Sequence, residues 1–156
     1  MSAICLYFQI HQPFRLKRYR FFDIGNDHYY YDDFSNEEIL TRIAQHSYLP
    51  ANELLLDMIK SSNKKFKVAF SISGTAIEQF QRFMPEFLES LKKLVATGCV
   101  EFISEPYAHS LAALTDIDEF RRQVELHNQL IYTEFGQKPK VFKNTEFVYN
   151  DEIAAY

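Results

Sequence analysis

Three short apolar, β-prone runs of strand length recur along the chain: Ala3–Ile10 (AICLYFQI), Lys67–Ile72 (KVAFSI) and Cys99–Ile103 (CVEFI). A fourth β-prone run, Lys140–Thr145 (KVFKNT), follows near the end. Helical periodicity fills the intervals between them. Ser35-Asn36-Glu37-Glu38 has the form of a capping box, so a helix is expected from there through Ile39, Leu40 and Ile43 to about His46. Pro50 suits the first turn of a second helix carrying Leu54, Leu55, Met58 and Ile59 to about Ser62. Thr75–Phe83 reads as a helix, and Pro85 restarts one whose apolar positions Phe87, Leu88, Leu91, Leu94 and Val95 end at Gly98. Thr115 is placed to cap a long helix from Asp116 to Phe135, lined by Ile117, Phe120, Val124, Ile131 and Phe135 and closed by Gly136. Strands alternating with helices predict an α/β fold: a right-handed βα array around a parallel sheet. The first run, almost wholly apolar, reads as a strand covered on both faces.

The remaining stretches bound function. Residues 14–34 form a long aromatic and charged connection, which inside one domain is usually functional or mobile. Its Lys17, Arg18 and Arg20 read as a solvated charge run. Tyr29-Tyr30-Tyr31 reads as loop packing, or as a platform for sugar rings. A chain of 156 residues holds one domain with a real core, and a net charge of −4 gives no electrostatic case for nucleic acid or an anionic membrane as partner. Cys5 and Cys99 both lie in apolar runs, fitting free thiols in a reducing compartment. No apolar run approaches membrane-spanning length and no basic leader opens the chain. A cytoplasmic protein with no membrane association is the expectation.

In a parallel array the C-terminal strand ends open on one face. Here those ends carry His11 and Gln12 after the first strand, Ser71, Ser73 and Thr75 at the second, Glu101, Glu105, Tyr107 and His109 at the third, and Asn144 and Glu146 at the fourth. The opposite ends follow Lys64-Lys65, Gly98 and Pro139, ordinary turn residues. Two histidines and three carboxylates on one rim predict an active site, with Glu146, at a strand end just before a helical start at Asn150, as the catalytic group. Glu101 sits mid-strand, where an unpaired buried carboxylate is costly, so it is either paired in the mouth or on an edge facing water. His28, His46 and His127 carry no functional expectation.

These motifs resemble glycoside hydrolase family 57, and within it the α-amylase-like branch. The resemblance rests on His11-Gln12-Pro13 after an apolar first strand, on Gly98-Cys99-Val100-Glu101 with His109 eight residues on, and on Phe142-Lys143-Asn144-Thr145-Glu146 before Tyr149-Asn150-Asp151. It implies an incomplete (β/α)7 barrel and retaining chemistry on α-glucans, with Glu146 as nucleophile. His11, Gln12, Glu101, Tyr107 and His109 would bind the sugar, and no metal or cofactor is implied. In that family the acid/base is an aspartate well downstream of the nucleophile, and the tryptophan often found near the nucleophile is absent here. The expectation is therefore one partial barrel domain over residues 1–156, about four βα units, truncated after the fourth strand. Its partners would be an α-glucan or maltooligosaccharide and the missing part of the barrel. Alone it is expected to lack efficient hydrolysis, and its open sheet edge to make it poorly soluble or oligomeric. The alternatives are a 4-α-glucanotransferase-type transglycosylase, a metal-dependent deacetylase-like hydrolase, whose acidic ligand His11-Gln12-Pro13 lacks, and an inactive glucan-binding fragment.

Overall fold

The computed structural model describes residues 4–155. Three parallel strands, β1 (Tyr7–Ile10), β2 (Val68–Ile72) and β3 (Val100–Phe102), lie in the order β1-β2-β3. Phe8 sits opposite Phe70 and Ile10 opposite Ile72, while Val68 faces Val100 and Phe70 faces Phe102. Because side chains alternate across a strand, this register divides the sheet cleanly. Ile10, Val68, Phe70, Ile72, Val100 and Phe102 point into one core with residues of α1 (Asp33–Ile43), α2 (Leu49–Ser61), α3 (Gly74–Phe83), α4 (Pro85–Val95) and the C-terminal half of α5 (Ile117–Phe135). Phe70, Phe80, Phe87 and Phe102 are fully buried there. Each contributes about 1.5–3 kcal/mol through apolar surface removed from water.

The other face carries Tyr7, Gln9, Ala69, Ser71, Glu101 and Ile103 and receives none of that core packing. The first strand is thus covered on one face, not both, and is shorter than its apolar run. Ile4, Cys5 and Leu6 precede it, largely exposed, and Ala3 lies outside the described residues.

Several helix boundaries differ from the expected ones for identifiable reasons. Asp32, not Ser35, caps α1, because its Oδ1 accepts from the Ser35 backbone N–H and its Oδ2 from the Ser35 hydroxyl. Pro50 lies in the first turn of α2 as expected, but no break separates that helix from α1. A π-helical turn at Ala44–Tyr48 runs directly into α2, and the wider turn accommodates a ring that has no N–H and would clash with the carbonyl four residues earlier. Asp116 rather than Thr115 caps α5, accepting from the N–H groups of Asp118 and Glu119, and Gly136 closes it with φ 69°.

The fourth β-prone run forms no strand. It makes one parallel bridge, Ser104 to Phe142, in which Ser104 N–H donates to Val141 O at 2.8 Å and Lys143 N–H to Ser104 O at 2.9 Å. A 3-10 turn at Thr145–Phe147 and the short α6 (Asp151–Ala155) follow. Phe142 and Ile153 join a second core with Phe120 and Val124 of α5.

The expected long connection is pinned. Lys17 N–H donates to Tyr30 O and Asp32 N–H to Arg15 O, making a two-ply ribbon. The buried Asn36 side chain clamps its base through Arg15 N–H and Arg15 O. Among the described residues no helix is long and apolar enough to cross a membrane.

Candidate active site

The C-terminal ends of the strands and the turn after the fourth run bring five side chains to one place. His11, the first residue past β1, is bonded through Nδ1 to the Ser73 hydroxyl at 2.7 Å, and Ser73 in turn caps α3. Its ring stacks on His109, with centroids 4.3 Å apart and planes 23° off parallel. His109 Nε2 lies 3.1 Å from Glu146 Oε1, and its Nδ1 lies 3.6 Å from Glu105 Oε2. The result is a chain of contacts from Ser73 through His11 and His109 to Glu146, with Glu105 beneath.

His109 and Glu146 share a further property. Both have left-handed backbones, with φ 53° and 54°. A side chain there costs of order 1–3 kcal/mol unless its surroundings hold it, and such residues concentrate at functional sites. The two residues that hydrogen-bond each other here each carry that strain.

Burial divides the carboxylates. The Glu146 side chain is 66% exposed, whereas that of Glu105 is 1% exposed. Burial pushes Glu105 above the usual carboxylate range, opposed by the Ser71 hydroxyl, by His109 and by the Lys143 ammonium. Burial likewise holds His11 down to about 4, reinforced by His109 and only partly offset by Glu146. His11 is therefore a neutral imidazole at pH 7.

The floor is built by a residue with no expected role. His127, fully buried on α5, points Nε2 at Ile72 O (2.9 Å) and accepts from Glu105 N–H through Nδ1 (3.4 Å). One rung earlier Ile103 N–H donates to Phe70 O directly, so the next parallel rung would join Glu105 N–H to Ile72 O. The imidazole occupies that rung. It spreads β3 from β2 just where the site opens, and it ends β3 at Phe102.

The other expected site residues fall as follows. Gln12 is buried behind the rim, accepting from Arg15 and reaching Tyr48, while its carbonyl accepts from Gln79 at 2.8 Å. It anchors the turn that carries His11. Tyr107 lies along the start of α3, its hydroxyl donating to Glu78 and its carbonyl accepting from Gly74 N–H at 2.8 Å. Burial and Glu78 together push its phenol up. Glu101 does not reach the rim. It is exposed on β3 opposite Ala69, beside Cys5, Lys67 and Gly98 at the other end of the strands. Four residues separate it from Glu105, roughly 13 Å of strand.

Ser73 and Glu105 belong to the expected rim but carried no assigned role, and Lys143 and His127 build the site without any such expectation. Glu105 was legible as the continuation of the alternation 101, 103, 105. His127 was legible as the polar member of the stripe Phe120, Val124, Ile131. A concavity of about 530 Å³ lies to one side, sharing Lys143 with the site and otherwise lined by residues such as Val124, Phe142, Val148 and Ile153. It is an apolar groove beside the fourth run, with neither histidine nor Glu146 in its wall. Among the described residues no group of three or more His, Cys, Asp or Glu is arranged to hold a metal ion.

A parallel βα sheet with its helices on one face, and an exposed carboxylate and paired imidazoles gathered at its C-terminal edge, defines an α/β protein of barrel type with a candidate site at that edge. The profile of glycosyl hydrolase family 57 matches residues 5–156, and the chain belongs to that family. It is 41% identical over 150 residues to a Methanocaldococcus jannaschii protein named "Putative alpha-amylase", covering 94% of this chain and 32% of that one. Its fold matches the crystal structure of 4-alpha-glucanotransferase from Thermococcus litoralis with a TM-score of 0.72 at 20% identity, over 97% of this chain and 20% of that one. It also matches the alpha-amylase AmyC from Thermotoga maritima, with a TM-score of 0.61 at 14% identity, over 99% of this chain and 38% of that one. The chain thus spans about a third or less of the first two, and its fold is the N-terminal part of the family's (β/α)7 barrel.

Proposed function

We propose that this chain supplies the nucleophile half of a retaining, α-glucan-active glycoside hydrolase site, with Glu146 as the nucleophile. The observation that carries the reading is the Glu146 side chain itself: open to solvent, on a left-handed backbone, with one oxygen taken by His109 Nε2. That leaves Oε2 to bond to an anomeric carbon while the glycosidic C–O bond breaks and the leaving oxygen takes a proton from an acid. Water then attacks the glycosyl-enzyme, passes its proton to that same group acting as base, and releases Glu146. The acid/base would come from beyond residue 156, consistent with relatives much longer than this chain. A sugar seated at this mouth would find Nε2 of the neutral His11 as a hydrogen-bonding partner, its Nδ1 being bonded to Ser73.

Hydrolysis and glucosyl transfer share the first step and differ only in the acceptor, so the same residues serve either. The test is a trapping experiment on the full-length protein with a fluorinated α-glucosyl fluoride, which forms the intermediate faster than it is hydrolysed. An adduct mass on the peptide containing Glu146, absent from Glu146→Gln, is the expected result. An adduct on another carboxylate, or undiminished turnover by Glu146→Gln, refutes it.

A further inference from the structure

We propose that Glu105 is a positioning residue of this site: its buried carboxyl group holds His109 from beneath and so fixes which imidazole nitrogen presents a proton to Glu146. The proposal rests on the reading of Glu146 as the nucleophile and adds a residue that the reading does not use.

The geometry starts from an unsatisfied group. Neither oxygen of Glu105 makes a hydrogen bond of ordinary geometry among the described residues, and neither does the buried Nδ1 of His109 facing it at 3.6 Å. A buried carboxyl group whose polar neighbours, Ser71 and His109 among them, stand outside ordinary hydrogen-bond geometry is costly and is retained where something depends on it. Closing the gap by about half an ångström would turn this approach into a hydrogen bond. The backbone holds both ends ready: His127 ties down Glu105 N–H, and His109 N–H donates to Pro106 O at 3.0 Å within the turn that carries it.

Proton placement gives the arrangement its consequence. When Glu105 is ionised it only accepts, so His109 donates from Nδ1, and the bond to Glu146 requires a second proton on Nε2. When Glu105 carries a proton, its O–H donates to Nδ1 and the neutral imidazole keeps its proton on Nε2. In the second state, and in the first when the ring is the doubly protonated imidazolium that two flanking carboxylates favour, Nε2–H faces Glu146. Without a carboxyl group at 105, the tautomer protonated at Nδ1 becomes available, and a bare Nε2 lone pair would then face the carboxylate. The polar groups around Glu105 come from every neighbouring element: His109 on its own loop, Ser71 on β2, Tyr7 on β1 and Lys143 on the fourth run. Lys143 also donates to Gln9 at 2.8 Å, so its ammonium stays on this face of the sheet.

The test uses the full-length protein and four variants: Glu105→Leu, Glu105→Gln, His109→Gln and the Glu105→Leu/His109→Gln double. Glu105→Leu is expected to lower kcat about 10–100-fold, the effect of removing an orienting partner. KM should move by less than about threefold, since the sugar does not touch residue 105. Glu105→Gln, able to donate to Nδ1, should recover most of the loss, and Glu105→Leu should cost nothing further once His109 is gone. Equal losses with and without His109 overturn the proposal. Independently of turnover, the imidazole ¹⁵N shifts of His109 should move toward the Nδ1-protonated tautomer in Glu105→Leu; unchanged shifts also overturn it. Should Glu105→Leu fail to fold, Glu105→Gln decides instead: its amide N–H donates to Nδ1, so His109 should keep its proton on Nε2, and ¹⁵N shifts that move toward the Nδ1-protonated tautomer overturn the proposal. If Glu146→Gln retains full turnover, the nucleophile reading falls, while these shifts still report whether Glu105 governs His109.

Discussion

Replacing His127 by Leu, a side chain of similar volume, tests whether an imidazole truly stands in for a rung of the sheet. The substitution leaves little cavity, so its cost isolates the two hydrogen bonds. Ile72 O loses a donor at 2.9 Å and Glu105 N–H loses an acceptor at 3.4 Å, both away from water. A buried polar group left unpaired costs about 1–3 kcal/mol, and the longer bond belongs at the lower end, so the pair sums to about 2–4 kcal/mol. With a denaturant slope of roughly 2 kcal/mol per molar for a domain of this size, the urea midpoint should fall by about 1–2 M. His127→Gln keeps a donor and an acceptor and should lose less. The measurement belongs at pH 7, because burial holds the His127 imidazole below its ordinary value and therefore neutral there. Should His127→Leu match the parent in midpoint and slope, the strands must close the direct Glu105 N–H to Ile72 O bond unaided, and the imidazole is not what spreads them.

Three other perturbations test separate joints of the structure. A Cβ at Gly74 would lie 2.4 Å from the Tyr107 ring, so Gly74→Ala should destabilise by about 1–3 kcal/mol, outweighing the 0.5–1 kcal/mol that alanine ordinarily gains in a helix; a rise in melting temperature would contradict this. His11 sits at about 4 when folded against 6.5 free, so between those values the unfolded chain binds the proton first and stability falls as pH drops through that window. The full shift is worth about 3 kcal/mol, and solvent screening of the half-exposed ring reduces it to about 1–2 kcal/mol; urea midpoints at pH 7 and pH 4 should show His11→Gln losing that much less. Asn36→Leu removes both clamps on Arg15 and should cost about 1–3 kcal/mol, with faster proteolysis inside residues 17–30; unchanged cleavage there would mean the ribbon holds itself.

How far the site could be read from the chain depends on which coordinate of a side chain is asked for. Alternation fixes the face: Glu101, Ile103 and Glu105 share one side of β3 and its extension, and the motif residues His11, His109 and Glu146 meet at the strand ends. Alternation does not fix height. Glu101 and Glu105 present the same parity, yet four residues of extended chain separate an exposed carboxylate at the bottom of the sheet from a buried one under His109. The fourth β-prone run stops at a single bridge for a related reason. Lys140–Thr145 has the propensity for a strand, but strands form against an available edge, and β3 offers only Ser104 beyond the point where His127 draws it aside. Propensity belongs to a residue and pairing to a neighbour, which local sequence does not contain. His127 itself keeps the helical period of the apolar stripe, so burial was readable. That its two nitrogens would be consumed by two different strands follows only from the crossing of α5 over the gap between β2 and β3. The candidate site is thus set by one helix residue acting on two strands, and a change at position 127 should reach Glu105 and His109 before it reaches Glu146.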